Sequence, residues 1–190
     1  LITPVIGGTI TIIIYYYRDV MEKEPKVHIL KSTLWGALAG LVCITITIPL
    51  FFLAGSILEK LQENWQEILI LLGFVMIQAA IEEAVKGAFL FKATRRFSYE
   101  IDGLFDGFFY GAIVGTGMGV IDAIAYGVLA ADWIEGFEIA LIRTIRIPGT
   151  HALFTGIIGL YFALKLFEGK KALQGIVCAL SLHVVWNIIT

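Results

Sequence analysis

Five or six stretches of this chain, each about 20 residues long and almost wholly apolar, leave few folds open to it. A helix needs about 20 such residues to cross the hydrocarbon of a bilayer. The windows are 1–17, 34–55, 68–91, 104–131, a stretch within 138–167, and 171–189. Composition agrees: 58% of the 190 residues are hydrophobic and 16% are charged, against about 25% charged in a soluble domain. That polar complement is too small to cover a water-facing surface. The expected fold is all-α, a polytopic membrane bundle of about six transmembrane helices, with one more if 132–147 forms a helix of its own. Pro49 is tolerable in the second span because neighbouring helices can satisfy the carbonyl it frees. No repeat or long linker divides the chain, so residues 1–190 are expected to make one integral membrane domain.

Charge sets both an exclusion and an orientation. With 14 Lys and Arg against 16 Asp and Glu, there is no basic surface to neutralise a row of phosphates, which excludes nucleic acid as a partner. One set of connections carries Arg18, Lys23, Lys26, Lys31, Lys92, Arg95, Arg96, Lys165, Lys170 and Lys171. The opposite set holds Lys60, with Arg143 and Arg146 if these lie in loops, beside Glu59, Glu63, Glu67, Asp132, Glu135 and Glu138. Basic loops stay in the cytoplasm, so both termini are expected outside, with Gln62 outside and Ser98 inside. Cys43 and Cys178 lie in apolar runs and read as small hydrophobes.

Ionisable groups inside apolar spans cost about 2.5–3.5 kcal/mol each, so each one asks for a function. Glu82, Glu83 and Lys86 interrupt the third span. One lysine can pair with either carboxylate along the helix but cannot neutralise both, and adjacent carboxylates in a low dielectric make a site able to exchange a proton or hold an ion. His183 and Asn187 lie one turn apart in the last span. Asp106 and Asp122 bracket the fourth span, and Asp122 lies deep within it. Arg143, Arg146 and His151 fall in or near the fifth. At ~1.5 Å per residue from the basic end, Glu82, His183, Asn187, His151 and Asp122 all fall between the midplane and the outer surface. For His151 to reach the others, the fifth helix must start well before Pro148, near Glu138. Gly107, Gly111, Gly115 and Gly119 recur every four residues, a small-residue face suited to close helix packing.

Four ordered segments carry a resemblance. They are Ile81-Glu82-Glu83-Ala84-Val85-Lys86; Asp106-Gly107-Phe108-Phe109-Tyr110-Gly111 with Gly115-Thr116-Gly117; Arg146-Ile147-Pro148-Gly149-Thr150-His151; and His183-Val184-Val185-Trp186-Asn187. Together they resemble the PrsW family of intramembrane proteases, over about residues 70–188. That family is grouped with the CAAX prenyl endopeptidases and bacteriocin-processing proteins, whose signature also opens on a glutamate pair and closes on His-xxx-Asn. The resemblance implies an enzyme of the prokaryotic plasma membrane that makes the first cut in a membrane-anchored, single-span anti-sigma factor, on the extracytoplasmic side. It points to Glu82, Glu83, His151 and His183 as catalytic, with Asn187, Asp122, Arg146, Lys86, Asp106 and Tyr110 in support. In the fourth span the family usually has Gly-Phe-Ala-x-x-Glu-Asn, where this chain reads Gly117-Met118-Gly119-Val120-Ile121-Asp122-Ala123.

Peptide hydrolysis needs an activated water, a held oxyanion and a proton for the leaving amine. No serine or cysteine nucleophile stands beside a histidine in the spans. Two chemistries remain: Glu82 or Glu83 as general base with His151, His183 and Asn187 holding the oxyanion, or a zinc ion held by Glu83, His151, His183 and Asp122. The rival classes are a proton-coupled carrier, against which stands the lack of an inverted repeat, and an inert scaffold that binds membrane helices.

Overall fold

The structure, a computed structural model, describes residues 2–18, 23–59 and 64–189. Lys60, Gln62 and Glu63 lie outside the described residues. Among those described the chain is helical, with no strand: α1 (Ile2–Arg18), α2 (Lys26–Leu58), α3 (Asn64–Thr94), α4 (Leu104–Val128), α5 (Trp133–Arg146), α6 (His151–Glu168) and α7 (Leu173–Ile189), with 3-10 turns at Ser98–Glu100 and Ile147–Gly149. Four helical runs are long and apolar enough to cross a membrane, namely Lys26–Leu58, Trp65–Thr94, Leu104–Val128 and Trp133–Glu168. α1 and α7 have 17 residues each, the lower end of what spans ~30 Å of hydrocarbon.

α4 is the axis of the bundle, buried continuously from Phe109 to Gly119. Its glycine face does what the spacing predicts. A Cβ at Gly107, Gly111 or Gly115 would land on the backbone of Gly159, Thr155 or His151 in α6, so the two helices touch backbone to backbone and run antiparallel. α2 meets another side of α4, where Gly36 faces the Val114 backbone, and α1 meets a third through Gly8 against Val120. In lipid no hydrophobic force drives helices together, and small residues that allow close approach take its place.

The fifth window is where structure and expectation part. Its helical run starts at Trp133, ahead of Pro148 as required, but it is not continuous. Asp132 starts α5 by accepting hydrogen bonds from the amides of Ile134 and Glu135. The run then breaks over Ile147–Gly149, where Pro148 has no amide hydrogen to give and cannot continue an α-helix without loss. The helix that 132–147 allowed is therefore α5, and α6 begins at His151 itself. Gly127 and Gly136 pack face to face, and Ile147 and His151 meet Gly119. α5 thus descends along α4 from the end away from the basic loops and delivers His151 into the middle of the bundle.

Candidate functional site

The carboxylate pair of α3 divides its work. Glu83 and Lys86 are fully buried, and Lys86 Nζ donates to Glu83 Oε1 at 2.6 Å. The same oxygen lies 2.6 Å from His183 Nδ1 of α7. A carboxylate only accepts, so Nδ1 carries a proton, and in the neutral ring Nε2 keeps its lone pair. Glu82, one residue earlier, turns to a different side. Its Oε1 accepts from the Gln78 amide at 3.2 Å. Its Oε2 has no hydrogen-bond partner and stands 3.9 Å from His183 Nε2 and 3.9 Å from Lys86 Nζ. With His183 neutral, two carboxylates and one ammonium leave the cluster one negative charge in excess, buried where water cannot screen it.

A second cluster faces the first. Arg143 of α5 donates to Asp122 Oδ2 of α4 at 2.7 Å, and its guanidinium lies 3.3 Å from the Tyr126 ring centroid. His151 Nε2 stands 3.5 Å from the same Asp122 oxygen, and Nδ1 is buried without a partner. The His151 and His183 rings are 6.5 Å apart, edge to face. Asp122 therefore sits between an arginine and a histidine, in a place where the resemblance alone left its role undefined.

Between the clusters lies a cavity of about 310 Å³. It is lined by Val75, Gln78 and Glu82 of α3, Asp122 and Tyr126 of α4, Arg143 and Arg146 of α5, Thr150 and His151, and His183, Trp186 and Asn187 of α7. Of the residues singled out in the sequence, the structure brings together Glu82, Asp122, Arg146, His151, His183 and Asn187, with Glu83 and Lys86 directly behind. Asp106 and Tyr110 do not join them. Asp106 accepts from the amides of Asp102 and Gly103 at the start of α4, and the Tyr110 hydroxyl donates to Glu24 near the basic loops. Gln78 and Tyr126 went unnoticed in the sequence, although Gln78 is four residues before Glu82 and Tyr126 four after Asp122, the spacing of one helix face. Trp186 packs against the hydrophobic core and is also a wall of the cavity.

Imidazoles and carboxylates around one cavity are donors of the kind zinc takes, and the unpartnered Glu82 Oε2 and His151 Nδ1 add spare lone pairs. These side chains are not gathered into a chelate, however: among the described residues no three His, Cys, Asp or Glu form a group that could hold an ion.

The profile of the family described as "PrsW family intramembrane metalloprotease" matches residues 24–190. A protein named Protease PrsW from Geobacillus kaustophilus (strain HTA426) is 29% identical over 183 residues, covering 90% of this chain and 69% of that one. No solved structure matches.

Proposed function

This chain belongs to the PrsW family of intramembrane metalloproteases and is an integral membrane endopeptidase, and from that premise we propose that the cavity between α3, α4 and α7 hydrolyses a peptide bond near the end of a substrate's membrane span. One observation carries the reading: Glu82 Oε2, buried and without a hydrogen-bond partner, faces His183 Nε2 at 3.9 Å. Two polar atoms at that separation are suited to share one water.

Glu82 is the base that takes a proton from this water and returns it to the leaving amine. Gln78 holds its other oxygen and so sets the direction in which Oε2 points. Glu83 does not touch the reacting atoms. It fixes the His183 tautomer through Nδ1 and leaves Nε2 toward the cavity, while Lys86 offsets its charge. Asp122, held by Arg143, stands 3.5 Å from His151 Nε2 and orients that ring through the opposite nitrogen. Asn187 is a neutral donor on the wall, able to take the substrate's carbonyl oxygen as negative charge develops there.

The family implies a metal ion, and the donors present fit one in kind, with the excess negative charge of the α3 cluster favouring a cation. His151, His183 and Asp122 would hold it, and it would supply Lewis acidity and a more acidic water.

The basic connections place the α1–α2, α3–α4 and α6–α7 turns in the cytoplasm on this reading. Along their helices Glu82 and His183 lie about 18 and about 15 Å from that side, near the midplane of ~30 Å of hydrocarbon, and the cavity reaches outward from there to Asp122, so the cut falls at the midplane or beyond it. The substrate class is a single-span membrane protein, with a membrane-anchored anti-sigma factor of the prokaryotic plasma membrane as the candidate. The test is incubation of purified protein with single-span candidates, followed by mass spectrometry. Defined fragments with wild type and none with Glu82→Gln are expected, and wild-type cleavage by Glu82→Gln would remove Glu82 from the chemistry.

A further inference from the structure

Of the cations lining the cavity, Arg143 is paired and, among the described residues, Arg146 is not. Asp122 is bonded to Arg143 at 2.7 Å, and Glu82 is engaged by Gln78 and lies within 3.9 Å of Lys86. Arg146 sits three residues beyond Arg143, lines the same cavity, and has no side-chain hydrogen bond or ion pair among the described residues. Its backbone is held in place, because its carbonyl accepts from the Thr150 amide at 3.0 Å and the Thr150 hydroxyl at 2.9 Å. Those bonds close the turn that leads into His151. The neighbouring Ile147 packs on Gly119, fifteen residues into α4, which puts Arg146 about 22 Å from the basic end of the bundle and inside the hydrocarbon. An uncompensated cation at that depth is costly, and the cavity's unpartnered carboxylate oxygen, Glu82 Oε2, is turned toward His183 Nε2 and Lys86 Nζ, 3.9 Å from each.

We propose that Arg146 selects the substrate by taking an Asp or Glu side chain a few residues from the scissile bond, so that single-span proteins with an acidic segment at the outer end of the span are preferred. The inference rests on the reading of the cavity as the proteolytic site. A guanidinium presents a fork of donors that matches a carboxylate with two parallel bonds. The substrate is favoured over a phospholipid phosphate as the source of the anion because Arg146 opens on the cavity shared by Glu82 and His183.

The test reads binding rather than turnover, in the Glu82→Gln background, with the full chain in nanodiscs of zwitterionic lipid. The probes are synthetic single-span peptides, identical except for one position near the outer end of the span, which is Asp, Asn or Lys and is stepped along the chain. At one or two positions Asp should bind on the order of 10-fold tighter than Asn, with Lys weaker than both. Adding Arg146→Glu should reverse that order, and Arg146→Gln should level it. A folding defect would weaken all three peptides alike and could not invert them. The proposal is overturned if Asp, Asn and Lys bind equally at every position, or if the Asp preference survives Arg146→Gln. It is also overturned if acidic phospholipid in the nanodisc abolishes the preference, which would assign Arg146 to a lipid phosphate. Failure of the wild type to cleave any of these peptides would count against the proteolytic reading alone, since the order of affinities still judges Arg146.

Discussion

Replacing Gly115 by alanine tests whether backbone contact between α4 and α6 is what sets the position of His151. A Cβ there would lie on the His151 carbonyl, 2.6 Å from its carbon and 2.7 Å from Thr155 Oγ1, where ordinary contact begins near 3.4 Å. Neither neighbour is the far end of a flexible side chain, so α6 has to move by about 0.8 Å or more, and overpacking of this kind costs about 1–3 kcal/mol. Helix propensity returns about 1 kcal/mol, leaving a small net change in stability. The effect on chemistry is larger, since a misplacement of about 1 Å costs on the order of 10²-fold in rate. Gly115→Ala should therefore lower kcat/KM for a single-span substrate about 100-fold while its unfolding midpoint in detergent moves by only a few degrees. Gly119→Ala, whose nearest neighbours lie at 3.1 Å, should lose less than about 10-fold. Gly55→Ala, with nothing within 4 Å, should match wild type. If Gly115→Ala cleaves as fast as Gly55→Ala, the glycine face does not position His151 and the argument is wrong.

Three other outcomes follow from the same geometry. Glu83→Gln strips the buried Lys86 of its nearest counter-ion and should destabilise the protein by about 3–5 kcal/mol, whereas Glu83→Gln with Lys86→Met should regain most of that; thermal unfolding that ranks the double variant below both single ones would contradict the pairing. With Cys43 and Cys178 replaced, a cysteine at position 62 should react with an impermeant reagent from outside intact cells and one at Ser98 should not; the reverse pattern would move the site to the cytoplasmic half. Elemental analysis of protein purified without a histidine tag should find close to one divalent metal per chain, falling together with activity in His151→Gln and His183→Gln. Fully active protein without metal would instead leave the water to Glu82 and the histidines alone.

Much of the site was legible because charge in lipid is expensive. Glu82, Glu83, His183 and Asn187 announced themselves by standing in otherwise apolar runs, and helix spacing put the right pairs on shared faces. What could not be read was which way each residue turns once the helices meet. Glu82 and Glu83 are adjacent and chemically alike, yet one lines the cavity and the other is closed off behind His183. Asp122 finds Arg143 across 21 residues and Tyr110 finds Glu24 across 86, partnerships that leave no periodic trace. Tyr110 and Asp106 lie within a segment that shares the family pattern, but their contacts show them holding the basic end of the bundle together.

Which segments are apolar enough to become membrane helices, and which charges interrupt them, is settled residue by residue, because transfer between water and hydrocarbon is a sum over side chains. The sequence alone determined that much. Rotation of each helix about its axis, the break that makes His151 the first residue of α6, and the division of labour between two neighbouring glutamates were decided by the tertiary structure. In lipid these are set by backbones meeting at glycines and by polar groups that must find partners on another helix, and neither condition is met until the helices are assembled.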